Sequence, residues 1–514
     1  MHAKFLMIGG VCAALACEPA STATRPPGGG GEATPVVNAA EAAKDAEAEQ
    51  AAAAKRAQLA ALSALPGIEA PRAVKFPAAQ VQTLANGLEL LVLEDHEVPR
   101  VRVMAIARAG DIYAPQDQPS LARLTSMLLA EGTTKRDKAA LDLQVDATGG
   151  SLDPFFDDEL SGVIADVLAK DAAFAFTAAA EVMTQPALPE TSLGKLKGLI
   201  LQGIDAEKAS PFGLGARMAA RVVHGEESPY GRPFPTKEQV EAMTRAQVVA
   251  FHARHFAPGN AMLVVAGDIT PAQARRLADR SFGAWKKGEA VAIPRAKRPA
   301  PPTTPVVYLI DRKASAQASV LAVVPAPGIG EPGWLQIRVL EQALGGGLSG
   351  RLNMVLREQL GLTYGASASH NFGYDGGAFY AGGSTKTSSA GEFLTALTRL
   401  LQEPGKDGVD QAELRRLLTK MSGQFALEAE GLDAVTMKTI QQRVFGLAPD
   451  FWERYRGDIE AISQADLQAT SRSLLVDQPL QMVVIGRADK LAKPLASFGE
   501  VRVYNTDLQR VTSK

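Results

Sequence analysis

The chain has 514 residues, 46% of them hydrophobic and 21% charged, with a formal net charge of −2. That length accommodates more than one domain with an ample core, and the composition is that of an ordinary folded protein. The near-neutral balance, with no basic stripe, argues against a nucleic-acid partner.

In chain order, the first 17 residues carry one lysine, Lys4, and then an apolar run too short to span a bilayer. Such a run reads as a secretory signal peptide. It ends in Ala14-Leu15-Ala16-Cys17, which is similar to a bacterial lipobox. The expectation is an exported protein of the bacterial cell envelope, lipid-anchored through Cys17 and periplasm-facing. An ordinary secretory signal cut nearby is the alternative. Both cysteines, Cys12 and Cys17, lie here, so no disulfide is expected in the mature chain. Residues 18–77 read as a tether, first Pro/Gly-rich and then Ala-rich. Asn38 to Leu65 favours helix but offers few large apolar residues to bury. It reads as a lone exposed helix, with a partner-docking coiled coil as the less favoured possibility.

From residue 78 the pattern becomes that of a packed α+β protein, and it runs twice: 78–286, then a linker over 287–305, then 306–514. In the first half, Asn86-Gly87 between apolar runs predicts a hairpin. A strand over Val101 to Ala109 follows, then a helix over 120–133 and alternating stretches near 150–168. An Ala-rich helix near 171–184 leads to one long helical region over 191–223, a helix over 245–255 and a strand over Ala261 to Asp268. The second half repeats the order: strands Val306–Ile310 and Ser319–Val324, a helix from Leu335, strands over 363–371 and 376–384, helices over 389–402, 408–429 and 464–475, and a strand over Leu480 to Gly486. Ala261-Met262-Leu263-Val264-Val265-Ala266-Gly267 echoes Leu480-Gln481-Met482-Val483-Val484-Ile485-Gly486, which supports duplication. Each half is expected to be a mixed or antiparallel sheet with helices packed on one face. The linker's Arg295, Lys297 and Arg298 lie among prolines and read as a solvated spacer rather than a phosphate site.

Several motifs have bland readings. His252 and His255 form a helical i, i+3 pair, but no carboxylate or cysteine pattern accompanies them, so a structural role is favoured. Gly345-Gly346-Gly347 lacks the Lys-Ser/Thr of a phosphate loop. Asp157-Asp158-Glu159 reads as a turn. No Ser-His-Asp set or Gly-x-Ser-x-Gly elbow is apparent, which argues against an independent hydrolase.

Residues 120–133, Ser-Leu-Ala-Arg-Leu-Thr-Ser-Met-Leu-Leu-Ala-Glu-Gly-Thr, resemble the zinc-site helix of the insulinase/pitrilysin/mitochondrial-processing-peptidase-like family M16, written G-[LA]-A-H-x-x-E-H-M…G-T. The frame lines up, but Arg123, Ser126 and Met127 stand at the two imidazole ligands and the base. Arginine cannot ligate a cation, serine alone is no base, and a thioether is a poor zinc ligand. The 195–204 helix resembles the one on which the family places its third ligand, a glutamate; Gln202 and Gly203 stand there. Phe251 to Met262 resembles a structural helix-to-strand junction of the family. The strongest resemblance is Leu344 to Leu352 running on to Arg357-Glu358-Gln359-Leu360-Gly361-Leu362-Thr363-Tyr364. In active members an arginine and a tyrosine seven residues apart contribute to substrate binding, and the phenol is thought to support the oxyanion. Arg357 and Tyr364 keep that spacing.

The resemblance, covering roughly 78–510, implies a non-catalytic subunit with no cofactor of its own. Zinc is expected only on a partner chain. Implied partners are a zinc-motif-bearing M16 subunit in a heterodimer, peptide substrates bound by Arg357 and Tyr364, and a membrane through the lipid anchor. An inert tethered peptide-binding or scaffold protein is the alternative.

Overall fold

The computed structural model describes residues 76–511; the segment expected to be a signal peptide, Cys17 and nearly all of the expected tether lie outside the described residues. Strands β1 (Gln80–Thr83) and β2 (Glu89–Glu94) form the expected hairpin. Gly87 turns it at φ +92°, and the buried Asn86 side chain donates to the Phe282 carbonyl at 2.8 Å. After β3 (Arg100–Ala107) come α1 (Leu121–Leu129), α2 (Lys138–Thr148), β4 (Ser151–Phe156), β5 (Ser161–Leu168) and α3 (Ala172–Thr184).

The long helical region of the first half is two helices, α4 (Glu190–Ala209) and α5 (Pro211–His224). Proline at 211 offers no N–H to continue α4 yet suits a first helical turn, and the Ser210 hydroxyl caps α5 by accepting from Gly213 N at 3.2 Å. The half ends with α6 (Lys237–Ala242), α7 (Arg245–His255), β6 (Ala261–Gly267) and α8 (Pro271–Phe282). The second half runs β7 (Val306–Asp311), β8 (Gln317–Ala326), α9 (Trp334–Gly345), β9 (Thr363–Gly373), β10 (Gly376–Lys386), α10 (Ala390–Lys406), α11 (Gln411–Glu430), α12 (Leu432–Val444), α13 (Phe451–Glu460), α14 (Gln464–Leu475), β11 (Gln481–Gly486), α15 (Ala488–Leu495) and β12 (Glu500–Tyr504).

Two six-stranded sheets result, ordered β1-β2-β6-β3-β5-β4 and β12-β7-β11-β8-β10-β9. Five positions correspond one for one, with β2 beside β6 and β7 beside β11 both parallel and the remaining shared pairs antiparallel. Only the outer strand differs: β1 comes from a local antiparallel hairpin, whereas β12 is the last strand among the described residues and pairs in parallel with β7.

Helices of its own half cover one face of each sheet, α3 and α8 on the first, α10, α14 and α15 on the second. The other face takes a helix from the opposite half. α5 lies across β8, β10 and β11, so close that a Cβ at Gly215 would sit 2.7 Å from Leu321 Cδ1. α12 lies on β6, burying Val435 with Leu93 and Ala266, while Asp433 reaches Arg100 at 2.9 Å and Arg102 at 2.7 Å. Partly exposed ion pairs are each worth about 0–1 kcal/mol. Burying Leu214, Met218 or Val435 is worth roughly 1.5–3 kcal/mol each, so apolar contact dominates this exchange.

No helix or strand lies between Phe282 and Val306, but the segment is not the free spacer expected from its prolines. Arg295 donates to the Tyr374 carbonyl, and Ala296 N reaches Asp375 Oδ2 at 3.2 Å. Arg298 donates to Gly377 O at 3.0 Å and Ala326 O at 3.3 Å, and Val291 and Ile293 pack on the core. Arg295, though exposed, and Arg298 both hydrogen-bond the β9–β10 turn.

Candidate functional site

Helix α1 buries Leu121, Ala122, Leu124, Leu128 and Leu129 and rests on α4 and α7. Apolar residues at that spacing fix which side looks outward: Arg123 and Met127, four residues apart, are both half-buried on it. Ser126 is buried, its hydroxyl donating to the Phe155 carbonyl of β4 at 3.2 Å. The Arg123 guanidinium lies over the Phe156 ring, 5.5 Å from its centroid. Gln202 is exposed on α4, two residues from both Ile200 and Ile204, which face the core. The nearest acid that is engaged is Glu207, whose two oxygens each take an N–H of Arg217 at 3.1 Å.

These residues do not fit a zinc ion. A guanidinium carries the wrong charge, the only hydroxyl is committed to a carbonyl, a thioether is too soft and weak a donor, and the amide faces solvent. Among the described residues no cluster of three or more His, Cys, Asp or Glu side chains is arranged to hold a metal.

Beside the helix lies a set of carboxylates, of which Glu159 is buried, Asp111 and Asp157 half-buried and Asp158 exposed. The run Asp157-Asp158-Glu159 closes the β4–β5 turn, with Asp157 Oδ1 accepting from Glu159 N at 2.8 Å and Leu160 N at 2.6 Å. A single 3₁₀ turn, Asp111–Tyr113, docks on it through three successive N–H groups: Gly110 to Glu159 O, Asp111 to Asp157 O and Ile112 to Asp158 O. A Cβ at Gly110 would fall 2.4 Å from Asp158 O, so the approach requires glycine. Burial pushes the Asp111 carboxyl up to about 6, opposed by the charges of Arg123, Arg217 and Arg232. Burial likewise lifts Asp157 to about 7 and raises Asp158, the latter against Arg217 and Arg123. Glu159 stands well above the usual carboxylate range, first from burial and then from Asp158 and Asp157.

A raised native pKa means that the folded protein holds these protons more tightly than the unfolded chain. Their stabilising contribution is therefore complete below about pH 4 and declines as pH rises toward 6–7. At about 1.4 kcal/mol per pH unit, Asp111 alone accounts for roughly 3 kcal/mol across its window. Asp111→Asn should consequently raise the melting temperature at pH 8 by several degrees more than at pH 4.5. Equal shifts at both pH values in scanning calorimetry would contradict the assignment.

This turn also meets the second half. Tyr230, in a 3₁₀ turn after α5 (Pro229–Gly231), donates to Glu159 Oε1 at 2.7 Å and accepts from Tyr374 N at 2.8 Å. A Cβ at Gly373 would lie 2.6 Å from both Cζ and the oxygen of Tyr230.

Arg357 lies in a short wide-turned helix, Asn353–Gln359, in which Leu360 N bonds back five residues to Val355 O at 2.9 Å. It is exposed and 3.4 Å from Glu358. Tyr364, the second residue of β9, is 89% exposed, and Leu348, Met354 and Leu360 earlier in the chain are exposed as well. Asn353, which no spacing in the sequence singles out, pins the segment: it donates to Gly347 O at 2.9 Å and accepts from Ala366 N at 2.9 Å. Gly345 is needed where α9 abuts β9, since a Cβ there would sit 2.0 Å from Ala368 N. The α1 residues share one helix and the Arg357–Tyr364 residues one loop and strand; no hydrogen bond, ion pair or ring contact among the described residues joins the two groups.

His252 bonds to the Met183 carbonyl at 3.0 Å, and His255 stacks on Phe251 with centroids 4.2 Å apart. Burial lowers the pKa of both, that of His255 to about 4, so both are neutral packing groups near pH 7.

Two family descriptions match this chain: "Insulinase (Peptidase family M16)" over residues 90–221 and "Peptidase M16 inactive domain" over 242–421, together more than half of its length. The chain belongs to peptidase family M16. It is similar to an uncharacterized zinc protease of Streptomyces coelicolor, 26% identical over 80% of this chain and 91% of that one. A second such protein, from Mycobacterium leprae, is 26% identical over 75% of this chain and 85% of its own. Among solved structures, a peptidase M16 inactive domain from Pseudomonas fluorescens superposes with a TM-score of 0.71 at 23% identity, covering 80% of this chain and 98% of that one. A protease from Helicobacter pylori does so at 0.70 and 18% identity, covering 80% and 99%. The fold of this M16 chain is thus that of peptidases, while its α1 lacks the side chains for their metal.

Proposed function

We propose that this M16 protein is the non-catalytic, substrate-binding subunit of a heteromeric zinc peptidase, held at the bacterial envelope through Cys17. The observation that carries this is selective retention. The metal positions of α1 hold Arg123, Ser126 and Met127, while Arg357 and the exposed Tyr364 keep the family's substrate-side spacing on the second half. Arg357 would anchor a peptide carbonyl and Tyr364 would donate to the oxyanion formed at a partner's zinc.

Purification from detergent-solubilised envelopes tests the assembly. A chain carrying His-x-x-Glu-His is expected at one-to-one stoichiometry, with peptidase activity and zinc in the co-purified complex. Recovery as a monomer or self-dimer without that activity would overturn the subunit assignment and favour an inert tethered scaffold.

A further inference from the structure

Arg123 is half-buried, yet it forms no hydrogen bond or ion pair with any described residue; it lies over the Phe156 ring and feels the charges of Asp111 and Asp158. A guanidinium carries five N–H donors, and leaving them unmatched in a partly dehydrated place is costly unless something else accepts them. Its neighbours on α1 cannot. Ser126 is committed to Phe155 O, and Met127, one turn on, offers only a thioether wall.

Charged groups of both signs surround it. Three guanidinium groups act on this corner, those of Arg123, Arg217 and Arg232. Of the three acids facing them, Glu207 is taken up in both oxygens by Arg217. Asp111 is half-buried and Asp158 exposed, and neither accepts a hydrogen bond from Arg123. Arg232 Nε is a further buried donor without a partner here.

Resting on the peptide-binding reading above, we propose that Arg123 is a receptor for a peptide carboxylate, received on the outward side of α1 between Met127 and the Phe156 ring. The planar fork matches a carboxylate with two parallel N–H···O bonds, and the ring beneath fixes its plane. The chemistry is shared by a chain terminus and by an Asp or Glu side chain.

The test uses the purified full chain and three dansyl-labelled hexapeptides of alternating alanine and leucine: a free acid, a C-terminal amide, and an amide with one internal glutamate. Fluorescence anisotropy is expected to show the free acid binding about tenfold more tightly than the plain amide, with Arg123→Gln erasing the difference. Tight binding of the glutamate peptide, lost in the same variant, would assign the side-chain source instead. Equal affinity for all three peptides, or an acid preference that survives Arg123→Gln, would overturn the carboxylate site while leaving peptide binding intact. No binding of any peptide would overturn both. If Arg123→Gln does not fold, competition on the wild-type chain decides: sodium acetate should displace the free acid where sodium chloride at equal ionic strength does not, and equal displacement would refute the site.

Discussion

Replacing Arg357 by Gln and Tyr364 by Phe together is expected to lower the peptidase rate of the assembled complex by about two to three orders of magnitude, with zinc content unchanged. The expectation follows from where each group acts. A single phenolic or amide donor aimed at a developing oxyanion is worth about 10²–10³ in kcat in other hydrolases. Tyr364, exposed at the start of β9 and free of intrachain commitments, has its hydroxyl available for that use. Removing it should fall mainly on kcat, whereas removing Arg357, which would grip the ground-state backbone as well, should fall mainly on KM. The variants should fold normally, since both side chains are exposed and neither carries core packing. Steady-state kinetics on the reconstituted complex decide the matter. A double variant with wild-type kcat and KM would remove this chain from the chemistry and leave it a scaffold.

The second large effect is on stability. Tyr230→Phe deletes one oxygen that serves both halves, stranding Glu159 Oε1 and Tyr374 N in a buried place. At about 1–3 kcal/mol for each of the two groups left unmatched, the loss should be roughly 2–6 kcal/mol. Gly373→Ala should cost a comparable amount by a different route, because its new methyl would displace the Tyr230 ring. The two changes share one contact, so their combined cost should fall well short of the sum. Urea denaturation of the single and double variants measures this. Strict additivity would mean that Gly373 and Tyr230 act independently.

Much of the architecture was legible because its signals are local. Asn86-Gly87, the apolar runs of β6 and β11 and the Ser463-capped helix α14 each declare themselves within a dozen residues. The break at Ser210-Pro211 was legible in principle, since proline marks a helix start, but continuous helix propensity on both sides masks it. α12 and the last strand β12 went unread for another reason. α12 finds its apolar partners on the other half's sheet, and β12 is a strand only because β7 offers it an edge. The candidate site divides in the same way. Arg123, Ser126, Met127, Arg357 and Tyr364 could be picked out by motif spacing. Glu159, Tyr230 and Tyr374 could not, because they are brought together across 71 and 144 residues by folding alone. The linker is largely solvent-exposed, as its prolines and basic residues suggest, but the hydrogen bonds of Arg295 and Arg298 to the β9–β10 turn are legible only once that turn is known.

The reciprocal placement of α5 and α12 has a consequence for how this protein can be cut and rebuilt. Either half made alone would expose the bare face of its own sheet and also carry an apolar helix with nowhere to lie, a combination that favours aggregation over solubility. A cut within residues 287–294, ahead of the arginine straps, spares both the straps and the exchanged helices, so the nicked protein should stay together as a non-covalent pair. For the same reason, new sequence could be grafted there without separating the two halves.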